Sequence, residues 1–141
     1  MQKLMSFVVL VFLSTTYFSI TDANAQKKAV TPSIEVMYFH GTNRCITCNA
    51  VESHAKTLLE EKYKNEIKNG TIKFVSYNID EATSKTLVEK YEIAFSTLLI
   101  VRKLDKKESK TDFTNTAFQY AKNNPTKYKE LLKAEVDKNL K

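Results

Sequence analysis

Two stretches of this chain, Ser33-Ile-Glu-Val-Met-Tyr-Phe39 and Thr97-Leu-Leu-Ile-Val101, are apolar at nearly every position. A strand with one wet face alternates apolar and polar residues, so runs with little alternation imply strands covered on both sides. That requirement constrains the fold more than any other feature of the sequence. It asks for a sheet with helices on either face, and the remaining residues supply them. Residues 45–69 read as a helix, with Val51, Ala55, Leu58, Leu59 and Tyr63 on one face, Ile67 in a separate final turn and Asn69-Gly70 as the stop. Residues 71–79 read as a second strand, and Asp80 is placed to cap a helix reaching about Tyr91, with Leu87, Val88 and Tyr91 inward. A hairpin turn at 105–108 leads to a short polar fourth strand ending near Phe113, then to a short helix over 114–123. Asn124-Pro125 opens a last helix whose apolar stripe is Tyr128, Leu131, Leu132, Val136 and Leu140. The expected order is β-α-β-α-β-β-α, an α/β class with a central mixed sheet flanked by helices. No internal repeat or low-complexity segment interrupts it.

The N-terminus reads as an export signal. A short basic start at Lys3 precedes the apolar core Phe7-Val-Val-Leu-Val-Phe-Leu13, and Ala23-Asn-Ala25 supplies the small-x-small cleavage pattern. Ser14, Thr15, Thr16 and Ser19 cut the apolar run short of the roughly 20 residues that a spanning helix needs. Residues 1–25 are therefore expected to be removed before Gln26, giving a periplasmic or secreted protein. Residues 26–32 form a polar linker, and residues 33–141 one domain, large enough to bury about two-thirds of its unfolded surface.

The formal charge is +6. Lysines are spread along the chain with loose groups at 103–110 and 122–141, the pattern of a solvated surface, so no nucleic-acid partner is expected.

The chain has two cysteines, Cys45 and Cys48, and an oxidising compartment permits them to pair. Two cysteines build no disulfide framework, so the pair is a redox dithiol, part of a metal site or an inert bridge. The position favours chemistry. Cys45 stands where a helix begins, and the free N–H groups and dipole there stabilise a thiolate. Arg44 adds a neighbouring positive charge. Cys48 lies one turn later on the same face, placed to attack a mixed disulfide on Cys45 and release its partner. Cys45 is thus the expected nucleophile and Cys48 the resolving thiol. A bridge closing so small a loop would contribute little chain entropy. His40 and His54 match no zinc-finger spacing with the cysteines, so no resident metal is expected. His40 reads as a strand-end residue, and His54 and Glu52 as solvated, although Glu52 is placed one turn beyond Cys48 where it could help proton transfer.

A C-x-x-C between a first strand and first helix is the thioredoxin arrangement. Tyr38-Phe-His-Gly-Thr-Asn-Arg-Cys-Ile-Thr-Cys-Asn-Ala-Val-Glu52 resembles the signature of the secreted thioredoxin-like proteins called the nitrophenyl compound nitroreductase subunit ArsF family, and residues 112–140, with Asn123-Asn-Pro125, resemble that family's C-terminal portion. Lys90-Tyr-Glu-Ile followed by Thr97-Leu-Leu-Ile100 resembles the thioredoxin stretch in which a Tyr-Gly-Ile precedes a cis-proline, then Thr and an apolar strand. The resemblance implies a thioredoxin-like fold and places Arg44, Ile46, Thr47, Ser96 and Thr97 beside the dithiol. Two departures stand out. Arg44 and Ile46-Thr47 replace the usual Trp and Gly-Pro, and Ser96 stands where the cis-proline would be, in a connection one residue shorter. A cis peptide before Ser would cost about 3 kcal/mol, so a trans bond is expected.

No glycine-rich nucleotide loop or flavin pattern is present, so no cofactor is expected. The expected function is disulfide exchange with protein thiols and disulfides, with a membrane reductase or oxidase as a possible redox partner. The alternatives are a carrier that binds a soft metal or metalloid ion through the thiolates and a protein with a structural disulfide.

Overall fold

The structure, a computed structural model, describes residues 31–141. The expected export signal, its cleavage point before Gln26 and most of the linker lie outside the described residues. The first strand, β1 (Ser33–His40), leads through a five-residue loop to α1 (Ile46–Lys62) and a single-turn α2 (Lys64–Lys68). Then come β2 (Ile72–Asn78), a 3-10 turn at Ala82–Ser84, α3 (Lys85–Tyr91), β3 (Thr97–Leu104), β4 (Lys107–Asp112), α4 (Thr114–Tyr120) and α5 (Pro125–Leu140).

The four strands form one mixed sheet in the order β2-β1-β3-β4. β1 runs parallel to β2 and antiparallel to β3, which is antiparallel to β4. β1 and β3 are therefore the interior strands, as their continuous apolar character requires. The alternation of side chains divides their residues between two cores. Ile34, Val36, Tyr38, Leu98 and Ile100 join Val51, Ala55, Leu58 and Leu59 of α1, Ala117 of α4, and Tyr128, Leu132 and Val136 of α5. Met37, Phe39, Leu99 and Val101 face the other way, onto Tyr91, Leu87 and Val88 of α3, with Tyr77 and Ile93 completing the layer. The second core is smaller, and beyond it Glu35 on the same face pairs with Lys103 at 2.9 Å and Lys73 at 3.9 Å.

Several local expectations change. The single helix over 45–69 breaks at Tyr63, whose backbone leaves helical geometry while its hydroxyl donates to Asp137 on α5 at 2.6 Å. Ile67 falls in the separate turn α2, as its position implied. Asp80 caps no helix: α3 starts at Lys85, and the Asp80 carboxylate instead accepts from the Thr42 amide at 2.7 Å. The hairpin turn is shorter than 105–108, with Asp105 in the left-handed region at φ 56° and β4 starting at Lys107. The helix expected over 114–123 ends at Tyr120. Asn124 does cap α5, its side chain accepting from the Lys127 amide at 3.1 Å ahead of Pro125.

Candidate functional site

The site lies at the C-terminal end of β1, where the sheet hands the chain to α1. Gly41, Thr42 and Asn43 turn the chain, and the turn is tied to the segment after β2. Thr42 donates its amide to Asp80, and the Asn78 amide group donates to the Thr42 hydroxyl at 3.1 Å. Asp80's carboxyl is held below the usual carboxylate range, first by the Thr42 amide and then by its hydroxyl. These ties anchor the loop that delivers Arg44 and Cys45 to the helix start.

Cys45 and Cys48 are joined in a disulfide, with Cα atoms 5.0 Å apart, inside the range that such bridges span. Cys45 is the N-cap of α1, and its sulfur accepts from the Cys48 amide at 3.1 Å. No acidic residue occupies the first turn, so nothing there opposes negative charge on that sulfur. The two cysteines differ in access. Cys45 is exposed, whereas Cys48 is buried, with 8% of its surface accessible.

Ile46, between the cysteines, is 72% exposed, and Thr47 is half-buried. Ser96 arrives from across the sheet: Thr97 pairs with Phe39 in the β1–β3 register, which carries the preceding residue to the β1 end of the sheet. Its peptide bond is trans, in line with the sequence. Thr97 itself is buried and donates its hydroxyl to the Phe95 carbonyl at 2.8 Å, closing the turn that displays Ser96 and Phe95. Phe95 is 64% exposed and, with Ser96, Thr114, Asn115 and Phe118, lines an open cavity of about 360 Å³.

Beneath the disulfide lies a polar cluster that the sequence reading did not anticipate. The Arg44 guanidinium turns inward, its centre 5.7 Å from the centroid of the Tyr38 ring, and Nη2 forms an ion pair with the Glu52 carboxylate. Glu52 is therefore not a freely solvated residue, as its sequence position suggested, because Arg44 folds back over it. The Arg44 Nε is buried without a hydrogen-bond partner, and the buried Tyr38 and Ser76 hydroxyls meet no partner in full hydrogen-bond alignment, although Ser76 lies near enough to Glu52, and Arg44 and Ser96 near enough to Tyr38, to act on those groups. Burial pushes the Glu52 carboxyl up, but the Ser76 hydroxyl, the Arg44 guanidinium and, more weakly, His40 outweigh it and leave it below the ordinary carboxylate value. Tyr38 moves the other way, raised by burial despite the opposing influence of Arg44. His40 is half-buried with Nδ1 2.9 Å from the Gly41 carbonyl, and His54, also half-buried, lies a turn and a half beyond Cys48 on α1. Among the described residues no group of three or more His, Cys, Asp or Glu side chains is placed to hold a metal ion.

Tyr38 was concealed in sequence by its place in an apolar run, where it does serve the core. Phe95 carried a weak signal, a lone aromatic in the polar stretch before Ser96.

The fold and the site together define an α/β domain bearing a C-x-x-C disulfide at a helix N-terminus. No family model matches the chain, and no curated protein does. Among solved structures it is similar to one described as the structure of a malarial protein, with 16% identity over 62% of this chain and 93% of that one, at a TM-score of 0.40. Among the described residues no helix is long and apolar enough to cross a membrane.

Proposed function

We propose that this protein is an exported thiol–disulfide exchange protein of thioredoxin-like fold, acting on protein thiols and disulfides through Cys45 and Cys48. The observation that carries the reading is the asymmetry of the pair: an exposed, helix-capping Cys45 bonded to a buried Cys48. The sheet order, with one parallel and two antiparallel pairs and the disulfide at the start of the first helix, supports the topology. The export half of the reading rests on residues 1–25 alone.

The chemistry follows from access. A partner thiolate attacks the Cys45 sulfur, the Cys45–Cys48 bond breaks, and its electron pair leaves on Cys48, which takes up a proton. A second partner thiolate then attacks the partner sulfur of the mixed disulfide. Cys45 leaves as a thiolate, stabilised by the Cys48 amide and the free N–H groups of α1, and the partner departs as a disulfide. Run backwards, the same steps reduce a partner disulfide. Exposed Ile46 and Phe95 border the approach with apolar surface suited to a polypeptide. Ser96 leaves that approach open and polar, where its hydroxyl or amide can meet a partner backbone. A membrane reductase or oxidase would reset the pair.

The test is trapping. Cys48→Ser should accumulate mixed disulfides through Cys45 when mixed with a disulfide-containing polypeptide, while Cys45→Ser should trap nothing. In the reduced wild type, Cys45 should be alkylated first at neutral pH. Equal alkylation of the two thiols, or trapping through Cys48, would overturn the assignment of roles.

A further inference from the structure

The arginine beside the reactive cysteine is occupied elsewhere. From sequence, Arg44 is a positive charge next to Cys45; in the structure its guanidinium points inward, over Tyr38 and onto Glu52. Glu52 lies four residues after Cys48 on α1, hence one turn deeper along the same face of the helix. The contact with Nη2 is an ion pair without hydrogen-bond alignment, and Nε reaches no acceptor. A guanidinium carries five donors in a rigid fork. Arg44 is thus a half-buried cation with donors to spare, on the residue that precedes a sulfur which becomes an anion on reduction.

We propose that Glu52 is a positioning residue for the exchange reaction: by holding Arg44 inward, it withholds that charge from Cys45 and keeps the thiol less acidic and the disulfide less oxidising. The inference rests on the exchange reading for its purpose, but it concerns a physical property of the Cys45 thiol and is tested on that thiol directly. Two anions compete for one cation. While the disulfide is closed, Glu52 is the only anionic partner in contact with Arg44 among the described residues. Once the pair is reduced, the Cys45 thiolate becomes the second, and each unit of attraction that Glu52 retains is lost to the thiolate.

Other charged groups bear on the site and define the background against which the effect is read. His40 at the end of β1 and Asp80 after β2 interact with each other and, through His40, with Glu52. Tyr38 from β1 supplies a ring face and a hydroxyl without a fully aligned partner. None of them is an anion in contact with the guanidinium, so Glu52 is the group that decides where it points.

The competition separates from a simple charge effect by a double-mutant cycle. The thiolate absorbance of reduced protein near 240 nm, followed against pH in each variant with Cys48 replaced by Ser, gives the Cys45 pKa. Glu52→Gln should lower it by about one unit, the size of effect a nearby opposite charge exerts. Arg44→Gln should raise it. In the Arg44→Gln background, Glu52→Gln should shift it far less, because the cation through which Glu52 acts is gone. Glu52→Asp provides a second reading: it keeps the negative charge but retracts the carboxylate from Arg44, and it too should lower the pKa. A Glu52→Gln shift of equal size with and without Arg44 would show that Glu52 acts by its own charge and overturn the proposal. So would a Cys45 pKa that is unmoved by Glu52→Gln or raised by Glu52→Asp. Absence of exchange activity in the wild-type protein, with the predicted pKa pattern intact, would instead count against the exchange reading alone.

Discussion

Tyr38 and Tyr128 are both fully buried in the larger core, yet their hydroxyls have opposite circumstances. Tyr128 donates to the Val51 carbonyl at 3.0 Å and so ties α5 to α1. The Tyr38 hydroxyl, although Arg44 and Ser96 lie near it, has no partner in full hydrogen-bond alignment. Removing a bonded hydroxyl costs about 1 kcal/mol, whereas removing an unpaired buried one relieves a desolvation penalty. Tyr128→Phe should therefore lower the urea midpoint, while Tyr38→Phe should leave it unchanged or raise it; a Tyr38→Phe loss as large as that of Tyr128→Phe would mean the hydroxyl is bonded after all. Glu52 adds a pH dependence. Its carboxyl is held below its ordinary value, so its contribution to stability is present above the unfolded carboxylate pKa of about 4.3 and is lost as pH falls through the lower folded value. Glu52→Gln should flatten that part of the acid limb, measured as urea midpoints from pH 6 down to 3; an identical acid limb would contradict the assigned shift. The cysteines were readable in sequence because their chemistry is carried by residue type and spacing. The Arg44–Glu52 pair was not, because a charged residue one turn beyond a cysteine looks like any solvated helix position. Only the tertiary approach of Arg44 across Tyr38 withdraws it from water.

At the scale of elements, the connection between β4 and α4 holds the strand that delivers Ser96. The Leu98 amide donates to the Thr114 hydroxyl at 3.0 Å, the Thr114 amide donates to the Asp112 carboxylate at 2.8 Å, and the Phe113 amide donates to the Leu98 carbonyl at 2.9 Å. A buried backbone N–H left without its acceptor costs about 1–3 kcal/mol. Thr114→Val keeps the shape and removes the acceptor, so it should destabilise by that amount in chemical denaturation; Thr114→Ser, which keeps the hydroxyl, should cost much less. Equal losses in both would assign the effect to packing instead. Continuous apolar runs made the interior strands readable, since β1 and β3 have no second choice but burial, and helical periodicity did the same for α5. Helix ends were less so. Asp80 looks like an N-cap by residue type, but its carboxylate is taken by the Thr42 amide, a contact set by the sheet and invisible to local pattern. Tyr63 continues the apolar face of α1 in sequence, yet it ends that helix where its hydroxyl meets Asp137 and the Lys133 carbonyl.

Across the whole molecule, stability is concentrated on one side of the sheet. α1, α4 and α5 cover the larger core, and α3 alone covers the smaller one. Leu132, fully buried between α5 and the sheet, should cost about 2–5 kcal/mol when replaced by Ala, enough to threaten a domain of this size. The disulfide lies at the edge of this architecture, closing a loop too short to constrain the unfolded chain much. Reduction should therefore leave the fold standing, with the urea midpoint nearly unchanged, as the proposed exchange would require. The central claim is that the Cys45–Cys48 bond is an exchangeable one, and a redox titration of residues 26–141 against defined glutathione or dithiothreitol ratios, read by thiol trapping, tests it most directly. The exposed, helix-capping Cys45 predicts a potential between about −120 and −270 mV, the range of disulfide oxidoreductases, whereas a value below about −300 mV would mark an inert structural bridge and contradict the account.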